Sequence, residues 1–169
     1  MSSRSQEEKA EEYYNKRKEM NYYKAILDIV KSMRYNNILD VGARRSPVLE
    51  ALPAGKERVS LDRIAVHAQP GIRHIVADFL KWMPDKKYDI VLCLQVLEHL
   101  DDPATFVKRL FQAGETVILS VPYRWKKGKC KYHVQDPVTL AKVVEWVGKK
   151  PAEYEIVEDN GMKRLICVY

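Results

Sequence analysis

The order of strand-like and helix-like segments is the feature that most constrains how this chain folds. Five short runs rich in apolar and β-branched residues follow one another, separated by turns or helical stretches: NILDV, RVSLD, IRHIVAD, YDIVLCL and TVILSV. Strands that alternate with helices form a mostly parallel sheet, and right-handed crossovers place helices on both of its faces. We therefore predict an α/β fold, and 169 residues suffice for one domain of this kind.

Two helices and a hairpin are predicted from local end signals. Each helix would have an aspartate cap, a proline at its first position and a closing glycine. These sets are Asp102, Pro103 and Gly114 for one helix, and Asp136, Pro137 and Gly148 for the other. The chain ends in two strand-like runs joined by Asn160-Gly161, a pair that strongly favours a β-hairpin. We expect the sheet to finish in this antiparallel pair.

The first part of the chain predicts one long helix. Residues 6–33 contain no proline or glycine, and Ser5 is a candidate N-cap. Apolar and aromatic residues recur every three or four positions between Tyr22 and Met33, which is the spacing of an amphipathic helix. We expect the helix to run from about Ser5 to Met33 within an N-terminal segment, residues 1–34, that precedes the sheet-forming domain, residues 35–169.

Composition and targeting signals favour an intracellular protein without a membrane partner. The apolar runs are far shorter than the ~20 residues that a membrane helix needs, and the N-terminus lacks the apolar centre of a signal peptide. Cys93, Cys130 and Cys167 are odd in number and form no CxxC pair, so neither a disulfide framework nor a zinc site is indicated. We expect a cytoplasmic location.

Acidic residues follow the first three predicted strands. Ligands of open parallel sheets bind beyond the carboxyl ends of the strands. An adenosine ligand needs a tight turn after the first strand, a carboxylate for the ribose hydroxyls after the second, and adenine contacts after the third. Asp62 lies 22 residues after Asp40, close to the roughly 20-residue spacing of a ribose-binding carboxylate. Asp78 and Phe79 are placed to hold adenine.

These segments resemble the motifs of the class I S-adenosylmethionine-dependent methyltransferases. ILDVGA is similar to the first motif, SLD to the second, VADF to the third, YDIVLCLQVLEHLDDP to the fourth and TVILSVPY to the fifth. The terminal hairpin resembles the sixth and seventh strands of that family. The resemblance covers Ile38 to Tyr169 and implies a Rossmann-like three-layer αβα sandwich, with a mostly parallel seven-stranded sheet that ends in an antiparallel β-hairpin. S-adenosyl-L-methionine is the implied cofactor.

The resemblance also assigns cofactor contacts to the loops after the first four strands. These residues are Asp40, Gly42, Ala43, Arg44, Asp62, Arg63, Asp78, Phe79, Leu94 and Gln95. Gly42 would pack beneath the methionine and ribose of the cofactor, Asp40 would order the loop or contact the methionine ammonium, and Asp62 would bind ribose. The N-terminal helix would form part of a lid. The side chains able to close over the cofactor are Tyr13, Tyr14, Tyr22 and Tyr23.

The first motif departs from the family pattern at Arg44 and Ser46, where glycines are usual. The Arg44 guanidinium would pair with the methionine carboxylate of the cofactor, or face solvent, or block the site. The last alternative corresponds to a non-catalytic cofactor-binding subunit that serves a partner protein.

The segment after the fourth strand supplies candidates for catalysis. Methyl transfer depends mainly on alignment, and a hydroxyl acceptor also benefits from a general base, for which histidine suits neutral pH. Glu98, His99 and His133 are the catalytic candidates, although Glu98-His99 could instead cap the following turn. QVLEH also resembles the ExxEH pattern of ubiquinone-type and small-RNA terminal 2′-O-methyltransferases, some of which bind a metal there. Since Gln95 replaces the first glutamate, we expect no metal; these same three residues would hold one.

The loop after the fifth strand, residues 122–133, mixes aromatic and basic residues. It is either a solvated loop or an electropositive rim that attracts an anionic acceptor. The candidate acceptor contacts are Tyr123, Arg124, Trp125 and Lys127. We expect O-methylation of a small-molecule, sugar or glycan-type anionic acceptor by a monomer or homodimer. RNA is the alternative, since aromatic residues stack on bases and cations contact phosphates.

Overall fold

The computed structural model describes residues 6–65 and 68–169. The helices are α1 (Gln6–Lys18), α2 (Asn21–Ser32), α3 (Pro47–Ala51), α4 (Pro103–Ala113) and α5 (Leu140–Val147), with a 3₁₀ turn at Leu97–His99. The strands are β1 (Asn37–Val41), β2 (Glu57–Asp62), β3 (Arg73–Val76), β4 (Tyr88–Leu94), β5 (Gly114–Pro122), β6 (Glu153–Asp159) and β7 (Met162–Val168).

The seven strands form one sheet in the order β3-β2-β1-β4-β5-β7-β6. Strands β1 to β5 all run parallel to one another, whereas β7 pairs antiparallel with β5 on one side and with β6 on the other. The β6–β7 connection is the predicted Asn160-Gly161 turn, and both residues have positive φ, as a two-residue type I′ hairpin requires. The α/β class, the mostly parallel seven-stranded sheet and its terminal hairpin are confirmed.

Two apolar clusters cover the two faces of the sheet. Ile38 and Leu39 are neighbours on β1 but belong to different clusters, because successive side chains of a strand point to opposite faces. The Leu39 cluster includes Phe106 of α4 and residues of α5. The Ile38 cluster includes Ile26 of α2 and residues of α3. The fold therefore has the three predicted layers, with the sheet in the middle.

The prediction of one continuous N-terminal helix is wrong. The structure has two helices, because Met20 adopts an extended conformation with φ −67° and ψ 141°. The Asp159 carboxylate at the end of β6 accepts the backbone N–H of Asn21 at 2.7 Å and that of Tyr22 at 3.3 Å. This distant side chain caps the start of α2 and stabilises the break. The proposed cap Ser5 lies outside the described residues.

The N-terminal helices have different neighbours. On α2, Tyr22, Ile26 and Val30 are buried against the sheet, so this helix is part of the core. On α1, the Tyr14 hydroxyl donates to Glu50, and the Arg45 guanidinium lies 3.8 Å from the Tyr14 ring centroid. Helix α1 thus packs on α3, the helix that begins directly after the loop following β1. The lid role stays a prediction, and the side chain of Tyr13 lies outside the described ones.

Of the two predicted aspartate caps, one is confirmed and one is wrong. Asp102 accepts the Thr105 N–H at 3.0 Å, with Pro103 as the first residue of α4 and Gly114 directly after its end. At α5 the cap is Thr139, whose hydroxyl accepts the Lys142 N–H at 3.2 Å.

The missed cap, Asp136, lies outside α5 because the helix begins later, at Leu140; its carboxylate contacts His133 instead. Gly148 closes α5 in the left-handed conformation, as predicted.

Among the described residues, no helix combines the length and apolarity that crossing a membrane would demand.

Candidate active site

Three non-glycine residues with positive φ lie in the loops that follow β1, β4 and β5, within three residues of the strand ends. They are Arg44 with φ 51°, Gln95 with φ 57° and Arg124 with φ 56°. L-residues adopt this region at an energetic cost, and such conformations concentrate where the surrounding structure holds a functional loop in place. Since β1, β4 and β5 are adjacent in the sheet, the three strained loops meet at its carboxyl edge. This edge is the candidate site.

Gly42 brings the loop after β1 against the segment after β4. Its φ is 77°, and its N–H donates to Leu61 O at 2.7 Å. A Cβ at this position would lie 2.7 Å from Cγ2 of Val96, closer than real Cβ contacts. The turn therefore needs glycine for both its conformation and its packing. The closely packed backbone at Gly42 provides a surface against which a ligand would lie.

Asp40 and Ser46 order the same loop from inside the protein. The Ser46 hydroxyl donates to Asp40 Oδ2 and accepts the Leu49 N–H at 3.1 Å, so it also caps α3. Burial raises the pKa of Asp40 to about 7, and the hydrogen bond from Ser46 opposes this shift. Asp40 Oδ1 is buried without a partner. The sequence-based interpretation treated Ser46 only as a replacement of glycine and missed its role as an N-cap, although a serine directly before Pro47 is a helix-start signal.

Asp62 links the loops that follow β1 and β2. Its Oδ2 accepts the Arg44 N–H and its Oδ1 accepts the Ile64 N–H, both at 2.9 Å. A carboxylate oxygen has two acceptor sites, so each oxygen can still receive a ribose hydroxyl. Arg44 is exposed, which agrees with the solvent-facing alternative for its side chain. The predicted ribose contact remains available in this geometry.

The other predicted cofactor residues differ in exposure. Asp78 is half-buried, and its Oδ1 accepts the Leu80 N–H at 3.1 Å. Phe79 is 4% exposed and packs on Phe106 with ring centroids 5.0 Å apart, so it contributes to the core beneath the edge. Leu94 is likewise buried, Ala43 is half-buried and Arg63 is exposed. Their contacts with a cofactor stay predictions.

Gln95 anchors the strained turn after β4. Its N–H donates to Ser120 O at 2.8 Å, and its Nε2 donates to the Ser120 hydroxyl at 3.2 Å. Both bonds reach the neighbouring strand β5. In this arrangement the glutamine amide is the donor and the Ser120 hydroxyl the acceptor.

His99 presents a ring nitrogen with a free lone pair. Its Nδ1 lies 2.9 Å from Tyr132 O, and a carbonyl oxygen only accepts, so Nδ1 carries the proton and Nε2 the lone pair. Partial burial lowers the pKa of His99, although the Tyr132 carbonyl opposes the shift, and the ring is therefore neutral at neutral pH. The His99 side chain is 40% exposed. It is the accessible base candidate.

His133 is held beside it by Asp136. His133 Nδ1 lies 2.8 Å from Asp136 Oδ2, so this ring also directs its proton to a fixed acceptor. The His133 side chain is only 6% exposed, because Trp125 stacks on it at 5.5 Å and His99 contacts it edge-on at 4.8 Å. The two predicted histidines are thus brought together, but His133 is covered by Trp125.

Glu98 is buried at the centre of this group. It is 1% exposed, and its Oε2 has no hydrogen-bond partner. Burial, with a smaller contribution from the charge of Asp136, raises the pKa of Glu98 to about 8, so the carboxyl is mostly protonated at neutral pH. Its backbone oxygen accepts the N–H groups of Val134 and Gln135. A protonated Glu98 does not act as a general base at this pH, and a catalytic role for Glu98 stays a prediction.

One ligand atom from each of Glu98, His99 and His133 lies within 4.8 Å of the other two. The residues fit a divalent ion in part, because metal-binding histidines usually have the second ring nitrogen fixed by a carbonyl or carboxylate, as both are here. A metal would also need Glu98 deprotonated, which its burial opposes. The structure brings the candidate set together, and its use stays a prediction.

The loop after β5 has an anchored base and exposed cations. Trp125 Nε1 donates to Lys163 O at 2.8 Å, and the Tyr123 N–H donates to the same oxygen at 2.9 Å. The Arg124 N–H donates to Val138 O at 2.8 Å. Arg124 and Lys127 are exposed. Tyr123 and Trp125 are therefore fixed to β7, while the cations are exposed to solvent, and contacts of this loop with an acceptor stay a prediction.

Two arginines were missed by sequence reasoning. Arg17 of α1 donates to the hydroxyls of Tyr22 and Tyr23. Arg164 of β7 is 8% exposed, and its guanidinium carbon lies 4.6 Å from the Tyr22 ring centroid and 5.5 Å from that of Trp125. The available signal was an arginine at an otherwise apolar face of a strand, in MKRLICV.

Comparisons with known proteins place these features in a family. Residues 10–144, most of the chain, match the family model Methyltransf_23, which is described as a methyltransferase domain. No curated protein matches the chain. Similar solved structures include magnesium protoporphyrin IX methyltransferase from Synechocystis PCC 6803 with bound S-adenosylhomocysteine. That protein is 14% identical with a TM-score of 0.68, over 87% of this chain and 80% of that one.

Two further solved structures share the fold at low identity. The N-methyltransferase NodS from Bradyrhizobium japonicum WM9, also with S-adenosylhomocysteine, is 14% identical with a TM-score of 0.68, over 87% of this chain and 84% of that chain. The 1,6-didemethyltoxoflavin-N1-methyltransferase of Burkholderia thailandensis is 17% identical with a TM-score of 0.69, over 88% and 76%. With the family match over most of its length, this chain belongs to the class I S-adenosylmethionine-dependent methyltransferases.

Proposed function

We propose that this protein transfers a methyl group from S-adenosylmethionine to a hydroxyl oxygen of a small-molecule, sugar or glycan-type acceptor that carries negative charge. The observation that carries the proposal is the histidine pair formed by His99, in the turn after β4, and His133, in the loop after β5. His99 and His133 each commit Nδ1 to an acceptor, so that Nε2 is left to accept a proton. A neutral amine is already nucleophilic, whereas a hydroxyl must lose its proton, and a positioned histidine promotes that loss.

The cofactor would occupy the edge formed by the loops after β1, β2 and β3. Asp62 keeps free acceptor sites for the ribose hydroxyls, and Gly42 provides a surface without a side chain. The methyl group would then face the turn at Gln95, next to the histidines. Bound S-adenosylhomocysteine in the similar solved structures supports S-adenosylmethionine as the cofactor. Those structures include N-methyltransferases, so the shared fold does not select the acceptor atom.

The first experiment is calorimetric titration with S-adenosylhomocysteine. We expect micromolar binding to the wild-type protein and loss of binding in Asp62→Ala, because two ribose hydrogen bonds to a charged acceptor disappear. Asp85→Ala, which removes an exposed carboxylate beyond β3, is the matched control and should bind as the wild type does. Full affinity in Asp62→Ala would refute the ribose assignment. Absence of binding to the wild-type protein would instead favour the non-catalytic partner subunit.

The second experiment tests the base. An asparagine at position 99 can still donate to Tyr132 O, as Nδ1 does, but it has no counterpart of Nε2. We expect His99→Asn to lower kcat by about 100-fold or more while S-adenosylhomocysteine binds unchanged. Turnover should rise with pH through a value below the usual pKa of histidine and then level off, because the base works only when neutral. Unchanged kcat in His99→Asn would remove His99 as the base.

The acceptor class is read from the same turnover assay. Uronic acids, nucleotide sugars and a short RNA would be compared by release of S-adenosylhomocysteine. Methylation confined to the RNA would select the 2′-O-methyltransferase alternative. Each reaction would be repeated with EDTA and with Mg²⁺. Loss of turnover in EDTA would show that the reaction needs a metal, for which Glu98, His99 and His133 are the candidate ligands.

A further inference from the structure

Arg164 is a buried arginine whose hydrogen-bond donors are incompletely used. The residue is 8% exposed, and its Nε and Nη1 are buried without a hydrogen-bond partner among the described residues. A guanidinium always carries its charge and has five N–H donors. Leaving such donors buried and unpaired is unfavourable, so each case in a folded protein calls for a specific explanation.

The nearby carboxylate does not satisfy the guanidinium. Arg164 Nη1 is 3.5 Å from Asp159 Oδ2, longer than the roughly 2.7–2.9 Å of a charge-assisted hydrogen bond. The Asp159 oxygens already accept N–H groups of Asn21 and Tyr22 at the start of α2. Asp159 therefore balances part of the charge of Arg164 while its hydrogen bonds serve the helix.

Two aromatic rings flank the guanidinium. Its central carbon lies 4.6 Å from the Tyr22 ring centroid and 5.5 Å from the Trp125 ring centroid. Both contacts hold the charged group in place, but aromatic faces accept no conventional hydrogen bond from its in-plane N–H groups. The side chain is thus oriented and partly dehydrated, which strengthens its attraction for an anion.

The position of Arg164 is on the acceptor side of the site. Its backbone pairs with Pro122, at the end of β5. Trp125, which contacts Arg164, also stacks on His133, and His133 contacts His99. In the sheet, β7 is three strands from β1, which corresponds to about 14 Å from the cofactor loop. A ligand on Arg164 would therefore lie next to the histidines and apart from the ribose-binding edge.

We infer that Arg164 is the anchor of an oxyanion subsite that receives a carboxylate, phosphate or sulfate group of the methyl acceptor between Tyr22 and Trp125. Binding there would hold the acceptor hydroxyl near His99. The role of the anion as part of an acceptor rests on the proposed function, but the subsite itself does not. The exposed cations Arg124 and Lys127 then attract the anion, and the buried guanidinium binds it.

The test uses small anions, so that it needs no knowledge of the acceptor. The Nε–H signal of Arg164 in a ¹⁵N-labelled protein is assigned by its disappearance in Arg164→Gln. Inorganic phosphate and acetate are titrated separately at constant ionic strength, set with chloride. We expect a saturable shift of the Arg164 signal, and the anion with the higher affinity indicates whether the acceptor carries a phosphate-type or a carboxylate group.

Matched variants separate a binding site from a general charge effect. Lys163→Gln removes one positive charge from the adjacent exposed residue and should leave the titration unchanged. Arg164→Lys keeps the charge but loses the planar fork. With binding read in all variants from the indole N–H signal of the neighbouring Trp125, we expect about tenfold weaker anion binding with the fold retained. This variant keeps the test valid if Arg164→Gln does not fold, because the Arg164 signal then disappears in Arg164→Lys.

Three results would overturn the inference. The first is a shift that does not saturate. The second is equal weakening of anion binding by Lys163→Gln and Arg164→Lys. The third is competition between phosphate and S-adenosylhomocysteine, since the guanidinium would then serve the cofactor carboxylate. Calorimetry of the wild-type protein with S-adenosylhomocysteine is read separately, so failure of the subsite is distinguishable from failure of the proposed function.

Discussion

Glu98→Gln should make the protein less sensitive to rising pH. Glutamine has the shape of protonated glutamic acid, and Glu98 is 1% exposed with a pKa raised to about 8 by burial. In the unfolded chain the pKa returns to its ordinary value near 4.5. The folded state therefore holds a proton that the unfolded state releases, and the resulting stability is fully present below the unfolded pKa and is lost as pH rises toward 8.

The size of the effect follows from the two pKa values. Within that interval each pH unit lowers the free energy of unfolding by about 1.4 kcal/mol. Between about pH 5.5 and 7.5 the wild-type protein should lose about 2.5 kcal/mol relative to Glu98→Gln. Urea unfolding has a slope of roughly 2 kcal/mol per molar for a domain of this size, so the difference between the two midpoints should change by about 1 M.

The assay is urea unfolding of both proteins at several pH values, with EDTA present. Burial also raises the pKa of Asp40, but that contribution is common to both proteins and cancels in the difference. Glu155→Gln, at an exposed position on β6, is the matched control and should follow the wild-type profile. Parallel pH profiles for the wild type and Glu98→Gln would show that Glu98 is ionised in the folded protein and would refute the reasoning.

Two further predictions concern the loop after β1 and the start of α2. Gly42→Ala should destabilise the protein by about 1–3 kcal/mol in urea unfolding and weaken the binding of S-adenosylhomocysteine, because the new Cβ would clash with Val96 in a left-handed backbone. Gly148→Ala is the control, since Gly148 is also left-handed but has open space around it, and this variant should show only the cost of the backbone conformation. Equal losses of stability in the two variants would contradict the clash. Asp159→Ala should cost about 1–2 kcal/mol and speed amide exchange at the start of α2, whereas unchanged exchange there would show that the cap is dispensable.

Local signals predicted much of the fold. β1 and β4 have the predicted bounds, because buried parallel strands are short continuous apolar runs between turns. The Asn160-Gly161 hairpin and the Asp102 cap also follow from near neighbours in sequence. The position of the loops at the carboxyl edge was also predicted, because parallel strands all end at the same edge of a sheet.

The errors share a cause, which is that an aspartate can choose among several hydrogen-bond donors, some near in sequence and some distant. The break before α2 is stabilised by Asp159, which is 138 residues from Asn21. Asp136 was predicted to cap a helix, but its carboxylate holds the ring of His133. In both cases an aspartate has several geometrically suitable donors within reach of the folded chain, and the sequence does not rank them.

Local patterns were sufficient to predict the succession of strands and the acidic residues at their ends, because both depend on periodicity and spacing within short segments, and the resemblance of the motifs indicated the family. Packing fixes which ring nitrogens of His99 and His133 are free, how deeply Glu98 is buried, and the position of Arg164 between Tyr22 and Trp125. Protonation and hydrogen-bond satisfaction depend on the local dielectric and on partners that packing brings together, and neither property is encoded in neighbouring residues.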